Sequence, residues 1–312
     1  MTRPEMVELD AAGRVFEEHR SYLFSIAYRL LGTVSDAEDV VQDAFLRWHR
    51  APASEVRSAR AYLATTVVRL CMDQLRSARA RREVYVGPWL PEPLITTGRE
   101  DLTDNIVLRE SLSFAFLLML EKLSPLERAV FVLREVFDYD YPDIAMMVDK
   151  SEANCRQVFH RARQRLADDR ARFESTREQQ ERLTEQFLRA TSTGDVQQLL
   201  TLLAEDVVSI GDGGGKASAG LRPIYSRDRV VRGFLGNLRK MPPDRVWIEE
   251  VNGQPAIVAT LGGKPYAVLM LDVREGKVQT MYTVVNPDKL QAVQRQIETG
   301  APPSGPETPK HA

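Results

Sequence analysis

Cysteine is nearly missing from this chain: Cys71 and Cys155 are the two in 312 residues, far apart and without a C-x-x-C spacing. That argues against a disulfide-stapled scaffold or a thiolate metal site and leaves two small core residues. Histidine is almost as scarce, confined to His19, His49, His160 and His311. No hydrophobic run approaches the roughly 18 residues needed to cross a bilayer. The longest, Phe114 to Leu120, suits a buried helix. The opening MTRPEMVELD is polar and acidic, unlike a secretory signal. The expectation is a cytoplasmic chain with no membrane partner. Excess charge is absent too: the net of −2 argues against a uniformly basic nucleic-acid binder.

The charge that is present is clustered. Between Arg57 and Arg82, Arg57, Arg60, Arg69, Arg76, Arg79, Arg81 and Arg82 face one acid, Asp73. A second basic run lies between Lys150 and Arg172. Two basic clusters inside an otherwise acidic N-terminal half point to two phosphate-facing surfaces. The length of 312 residues predicts two or three domains.

Helical periodicity dominates the first half. Tyr22, Leu23, Ile26, Ala27, Leu30 and Leu31 share a face, and Gly32 ends that helix. Ser35 with Glu38 reads as a capping box for a second helix that buries Val40, Val41, Ala44, Phe45 and Trp48. A third is predicted from about Ala59 to Arg82. Residues 83–105, with three prolines and two glycines, read as an extended linker. Ser124-Pro125-Leu126-Glu127 is a strong helix start, with Leu126, Ala129, Val130, Leu133 and Val136 on one face. A short helix over Pro142–Val148, a turn at Asp149-Lys150 and a helix from Ser151 to about Arg172 follow. After about Thr176, one or two helices (178–203) precede the glycine-rich loop at 211–216 and a helix at 226–240. Strands are predicted at 245–251, 255–261, 265–273 and 278–285, with turns at Gly253, Gly262-Gly263 and Glu275-Gly276. Helices followed by meandering strands mean an α+β domain. The Pro-rich tail 301–312 is expected to be disordered.

In the second basic cluster, Cys155, Val158, Phe159, Ala162 and Leu166 form a buried stripe. The other face carries Ser151, Asn154, Arg156, Gln157, His160, Arg161 and Arg163, donors suited to base edges and phosphates. The segment from Leu123 to Leu166, LSPLERAVFVLREVFDYDYPDIAMMVDKSEANCRQVFHRARQRL, resembles region 4 of extracytoplasmic-function (ECF) sigma factors. Asp149-Lys150 stands where that family has a glycine, and Asp tolerates the left-handed turn. The resemblance implies that the Ser151–Arg165 helix reads the −35 promoter element. YLFSIAYRLLGTVSDAEDVVQDAFLRWHR is similar to sigma region 2, which implies that Asp39, Asp43 and Trp48 meet core RNA polymerase (its β and β′ subunits). AYLATTVVRLCMDQLRSARARR resembles the −10 recognition helix, with Arg69 where the family has Asn. Opened DNA requires cations for its backbone and small polar groups for its bases. Arg69, Arg76 and Arg79 supply the first, and Thr65, Thr66 and Gln74 the second. Asp73 is expected to pair within its own helix.

Residues beyond 177 resemble the SnoaL/NTF2-like cone. Three motifs mark the ECF subgroup that carries such a fused domain: WLPEP (Trp89, Leu90, Pro91, Glu92, Pro93), DGGGK (Asp212, Gly213, Gly214, Gly215, Lys216) and NPDKL, with Asn286, Pro287 and Asp288. NPDKL reads as a helix start, Asn286 capping and Pro287 first. DGGGK reads either as a flexible turn or as backbone closely approached by another part of the chain. Ile210 and Ala217 rule out a Walker A loop. The expected architecture is multidomain: sigma region 2 (1–83), linker (84–105), region 4 helix-turn-helix (106–176), an α+β regulatory domain (177–300) and a tail (301–312). The resemblance implies an alternative sigma factor whose partners are core polymerase and promoter DNA, tuned by its own C-terminal domain. No histidine falls inside that domain, so a non-enzymatic role is expected, with no cofactor and no metal. The rival reading is a helix-turn-helix regulator sensing a small ligand.

Overall fold

A computed structural model describes residues 3–51, 58–167 and 175–299, with side chains from residue 12 onward except 78–83. The expected tail lies outside these residues, as does the helical extension toward Arg172. The chain forms two compact units. The first comprises residues 1–83, 99–112 and 119–168; the second comprises 84–98, 113–118 and 169–312. This division by packing differs from the boundaries expected from sequence. Most of the expected linker, 84–98, belongs with the C-terminal sheet rather than standing between domains. Residues 113–118, which open the expected region 4 helices, pack with that sheet as well.

In the first unit, α1 (Arg3–Leu31), α2 (Val34–Arg50) and α3 (Ala59–Glu83) pack together. Their shared interior holds Leu23, Ile26, Ala27, Leu30, Val40, Ala44, Leu63, Val67 and Cys71. Gly32 ends α1 with φ 74°. The second helix departs from expectation: Thr33, not Ser35, is its N-cap, and the Thr33 hydroxyl bonds Asp36 at 2.6 Å. A short helix α4 (Glu100–Thr103) interrupts what reads as linker, α5 (Ile106–Glu110) begins just after it, and α6 (Phe114–Leu120), divided between the two units, follows. Next come α7 (Pro125–Glu135), α8 (Tyr141–Val148) and α9 (Glu152–Arg165). Ser124 and Glu127 close the expected capping box. The burial of α7 extends beyond one stripe, from Glu127 through Leu133.

Two buried arginines hold this unit. Arg29 of α1, with no accessible surface, donates to Ser25, Leu102 O, Leu108 O and Ser111 Oγ, which ties α1 to the 99–112 segment. Desolvation draws its guanidinium down to about 9, so it remains charged at neutral pH. Arg128 of α7 donates to Leu120 O and to Leu30 O, and pairs with Glu121 at 2.7 Å. Buried charges persist when each donor nitrogen finds an acceptor, as here.

The second unit is built on one six-stranded sheet in the order β2-β1-β6-β5-β4-β3. Its strands are β1 (Leu203–Asp212), β2 (Ile224–Tyr225), β3 (Arg245–Val251), β4 (Gln254–Leu261), β5 (Lys264–Arg274) and β6 (Lys277–Val284). The three hairpins joining β3 to β6 turn at the predicted glycines, and Asn252-Gly253 and Glu275-Gly276 each have positive φ at both residues. β1 pairs with β6 in parallel. One sheet face is covered by α10 (Arg177–Thr193), α11 (Val196–Leu202) and α12 (Arg227–Lys240), which bury Leu183, Phe187, Leu199 and Val230 against Ile257, Leu269, Leu271 and Met281. The other face buries Trp247, Val258, Val268, Met270 and Tyr282. It is covered by Leu90, Phe114 and α13 (Gln291–Thr299), whose Val293 is fully buried. This is the α+β sheet-and-helix domain that the resemblance implies.

Candidate functional site

The turn between α8 and α9 sets the geometry of the candidate nucleic-acid interface. Asp149 takes the left-handed conformation, φ 54° and ψ 55°, and Lys150 N bonds Ala145 O. Ser151 then accepts Asn154 N and starts α9. Cys155, Val158, Ala162 and Leu166 are buried as expected, and Phe159 is half-buried against Phe131 and Tyr141. Ser151, Asn154, Arg156, Gln157, His160, Arg161 and Arg163 are all exposed. Arg156 lies over the Tyr141 ring and pairs with Glu152, leaving Asn154, Gln157 and Arg161 as the projecting donors. Glu127 anchors the end of α9 through Arg165 at 2.8 Å. Desolvation alone would raise the Glu127 carboxyl. Hydrogen bonds from the Ser124 backbone and hydroxyl, with the charges of Arg165 and Arg161, outweigh it and hold the group below its usual range.

The α3 residues are less uniformly available. Thr65 and Thr66 return their hydroxyls to Ala61 O and Tyr62 O. Gln74 donates to Asp36 at 2.7 Å. Arg76 pairs with Asp73 at 2.8 Å, the expected intrahelical partner. Arg69 turns instead to α8, donating to Met147 O at 3.1 Å and Met146 O at 2.9 Å. The Arg79 side chain lies outside the described residues. On α2, Asp39 and Asp43 are exposed one turn apart, beside Leu46. Trp48 differs from them: its indole donates to Ala12 O and its ring packs on Tyr62.

Within the second unit, the three motifs converge on one carboxylate. Asp212, at the end of β1, has no exposed surface. Its Oδ1 accepts the Tyr85 hydroxyl at 2.6 Å, and its Oδ2 accepts Leu90 N at 2.8 Å and Lys289 Nζ at 2.7 Å. Lys289 also donates to Leu90 O and sits over the rings of Trp89, at 4.4 Å, and Tyr85, at 4.9 Å. Asn286 Nδ2 donates to the Tyr85 oxygen at 2.8 Å. Burial, then the bonded Asp212 carboxylate, push the Tyr85 phenol upward, so it stays a donor. A side chain at Gly214, φ 57°, would collide with Asn286 and the Tyr85 hydroxyl. DGGGK is therefore backbone under close approach, and Lys216 pairs outside it with Asp288 at 2.5 Å.

Leu90, Pro91, Glu92 and Pro93 are buried, and the strand-like linker continues along β3. Leu94 and Asn252 exchange hydrogen bonds of 3.0 and 2.8 Å, and Ile95 bridges Val251. Two residues were not singled out from sequence. Lys289 was visible inside NPDKL, but Tyr85 lies outside every motif. NPDKL is also not a helix start: residues 287–290 form turns, Asn286 accepts Asp288 N, and the helix begins at Gln291. Asn286 is thereby free to turn its amide toward Tyr85.

Among described residues there is no cluster of three or more His, Cys, Asp or Glu positioned to hold a metal ion, and no helix is long and apolar enough to cross a membrane. Both cysteines are free and buried.

Comparisons with known proteins agree with this geometry. The Sigma-70 region 2 family matches residues 15–81, and Sigma-70 region 4 matches 113–166. ECF RNA polymerase sigma factor SigJ of Mycobacterium tuberculosis (strain H37Rv) is 37% identical over 287 residues, covering 88% of this chain and 92% of SigJ. A probable ECF RNA polymerase sigma factor of the same species, SigI, is 32% identical over 95% of this chain and 100% of its own length. The crystal structure of Mycobacterium tuberculosis SigJ superposes with a TM-score of 0.73 at 34% identity, over 89% of this chain and 97% of that one.

Proposed function

Because the chain belongs to the ECF class of RNA polymerase sigma factors, we propose residue by residue how it performs that family's work. It is an alternative sigma factor: it binds core RNA polymerase and directs initiation at particular promoters. Its α9 face reads duplex DNA at the −35 element. Asn154, Gln157 and Arg161 address base edges, while Ser151, Arg156, His160 and Arg163 address phosphates. The observation that carries this reading is the exposure of all seven residues on a helix whose opposite stripe is buried. On α3, Arg69, Arg76 and Arg79 hold the backbone of the opened −10 strand, with Thr65, Thr66 and Gln74 beside its bases. Asp39 and Asp43 present carboxylates to the β′ side of core polymerase, with β meeting region 4. Trp48 supports that surface by bracing α2 against α1 and α3 rather than by touching the partner.

The C-terminal domain tunes this activity without turning over a substrate. Its lever is the clasp of Asp212, Tyr85 and Lys289, which fixes Trp89–Pro93 on the sheet. The protein acts in the cytoplasm, where the polymerase is. Run-off transcription with purified core polymerase tests the reading. A product from a subset of genomic templates, lost in Gln157→Ala/Arg161→Ala, is expected; no product from any template would sink it.

A further inference from the structure

Arg69 occupies the middle of α3 and is exposed, yet its guanidinium is committed. Nε and Nη2 donate to the carbonyls of Met147 and Met146, the last turn of α8. Those carbonyls lie at a helix C-terminus, where unsatisfied acceptors and the negative end of the dipole attract a cation. The phosphate of an opened strand offers the same chemistry, an anionic oxygen pair for a bidentate donor. The Nε and Nη2 edge of the guanidinium that faces α8 cannot serve a phosphate at the same time.

We infer that an opened DNA strand and helix α8 compete for Arg69, so that strand binding releases region 4 from region 2. This rests on the reading of α3 as the strand-binding helix. If α7 withdraws from α1, Arg128 loses Leu30 O but keeps Leu120 O and Glu121, so no buried charge is orphaned. Arg29 donates its long-range hydrogen bonds to Leu102, Leu108 and Ser111 of the 99–112 segment, which therefore stays with α1, and also lies over the Phe137 ring at 5.6 Å. A second touching point joins Tyr22 to Tyr139 at 2.5 Å and to the Phe137 ring edge, with Arg60 stacked on Tyr22. The duplex-reading face of α9 is open throughout, so the closed chain is able to engage duplex DNA before strand DNA. A change outside the strand-binding residues that favours release raises strand affinity by the factor by which it raises the open fraction.

The test uses the full chain with dyes at Arg47→Cys and Gln164→Cys, both exposed positions, while Cys71 and Cys155 stay buried and unlabelled. Single-molecule energy transfer then reports the region 2 to region 4 distance with and without oligo(dT). Wild type should shift to longer distance as oligo(dT) binds. Arg69→Ala should do so without any DNA, raising the open-to-closed ratio about tenfold, the scale of one charge-assisted hydrogen bond. Arg69→Lys, whose ammonium cannot match the bidentate fork, should fall between. Oligo(dT) binding with no change of distance would overturn the inference, as would an unchanged distance in Arg69→Ala. Failure of the sigma reading is distinct: it appears as absent run-off product, whatever the dyes report.

Discussion

Asp212 is a carboxylate with no accessible surface, held by a phenol, an amide and an ammonium. Removing its charge takes away the carboxylate that Lys289 meets at 2.7 Å, in a site where only 9% of that side chain reaches solvent. Asp212→Asn is therefore expected to cost about 3 kcal/mol, measured by urea unfolding of the full chain. Adding Lys289→Met to the same protein should recover most of it, since removing both charges is often nearly neutral. Glu127 makes a pH prediction. Its folded pKa lies below the usual value of about 4.3, so its stabilisation is complete above that value. The contribution fades as pH falls through the lower, folded pKa. Thermal melts between about pH 5 and pH 3 should show a steeper loss for wild type than for Glu127→Gln. At this scale the sequence was half legible. Asp212, Trp89 and Asn286 stood out through their motifs. Tyr85 did not, because no local pattern encodes a partner 127 positions away.

Among the elements, helix starts with side-chain caps were the most readable. Ser124-Pro125-x-Glu127 and Ser151 announce α7 and α9 because the capping chemistry is contained in four residues. The α2 cap was misplaced by two residues because Thr33 and Ser35 are both competent, and Thr33 is where the chain leaves Gly32. β1 escaped notice altogether. Its sequence LAEDVVSIGD lacks alternation, since the strand reaches the sheet through an irregular register with β6 and has Asp212 directed into a polar clasp. The α8–α9 turn invites a direct test. Asp149→Gly should be neutral or slightly stabilising, whereas Asp149→Val should cost about 1–2 kcal/mol, because a β-branched residue resists φ 54°. Circular-dichroism melts distinguish the two. On α9 itself, Arg161→Ala should weaken binding to the preferred duplex by about 1–3 kcal/mol and relax its sequence preference. Arg163→Ala should weaken all duplexes alike and lower the salt slope by about one. Fluorescence anisotropy across a salt series reads both.

At the scale of the whole molecule, domain order was legible but domain membership was not. Composition marks 83–105 as a linker through its prolines, and prolines suit an extended segment whether it is free or docked. Leu90 and Phe114 reveal the difference: each is fully buried in the sheet core of the second unit. Cutting the chain at residue 176 would strip both of their cover, a loss of about 1.5–3 kcal/mol of burial apiece. The 1–176 fragment is therefore expected to bind the dye ANS and to self-associate in size-exclusion chromatography, whereas the full chain does neither. A monodisperse, dye-silent fragment would show that the linker needs no sheet. Point changes in the clasp, Asp212→Asn above all, are cleaner probes of regulation than truncation.

The crossing of the chain into the second unit at 84–98 also orders events in time. A ribosome delivers regions 2 and 4 first, and the sheet that receives the linker is complete only about 200 residues after Gly98. At about 5–20 residues per second, that interval lasts roughly 10–40 s. Every newly made molecule thus passes through a period in which its sigma regions have been made and its C-terminal sheet has not.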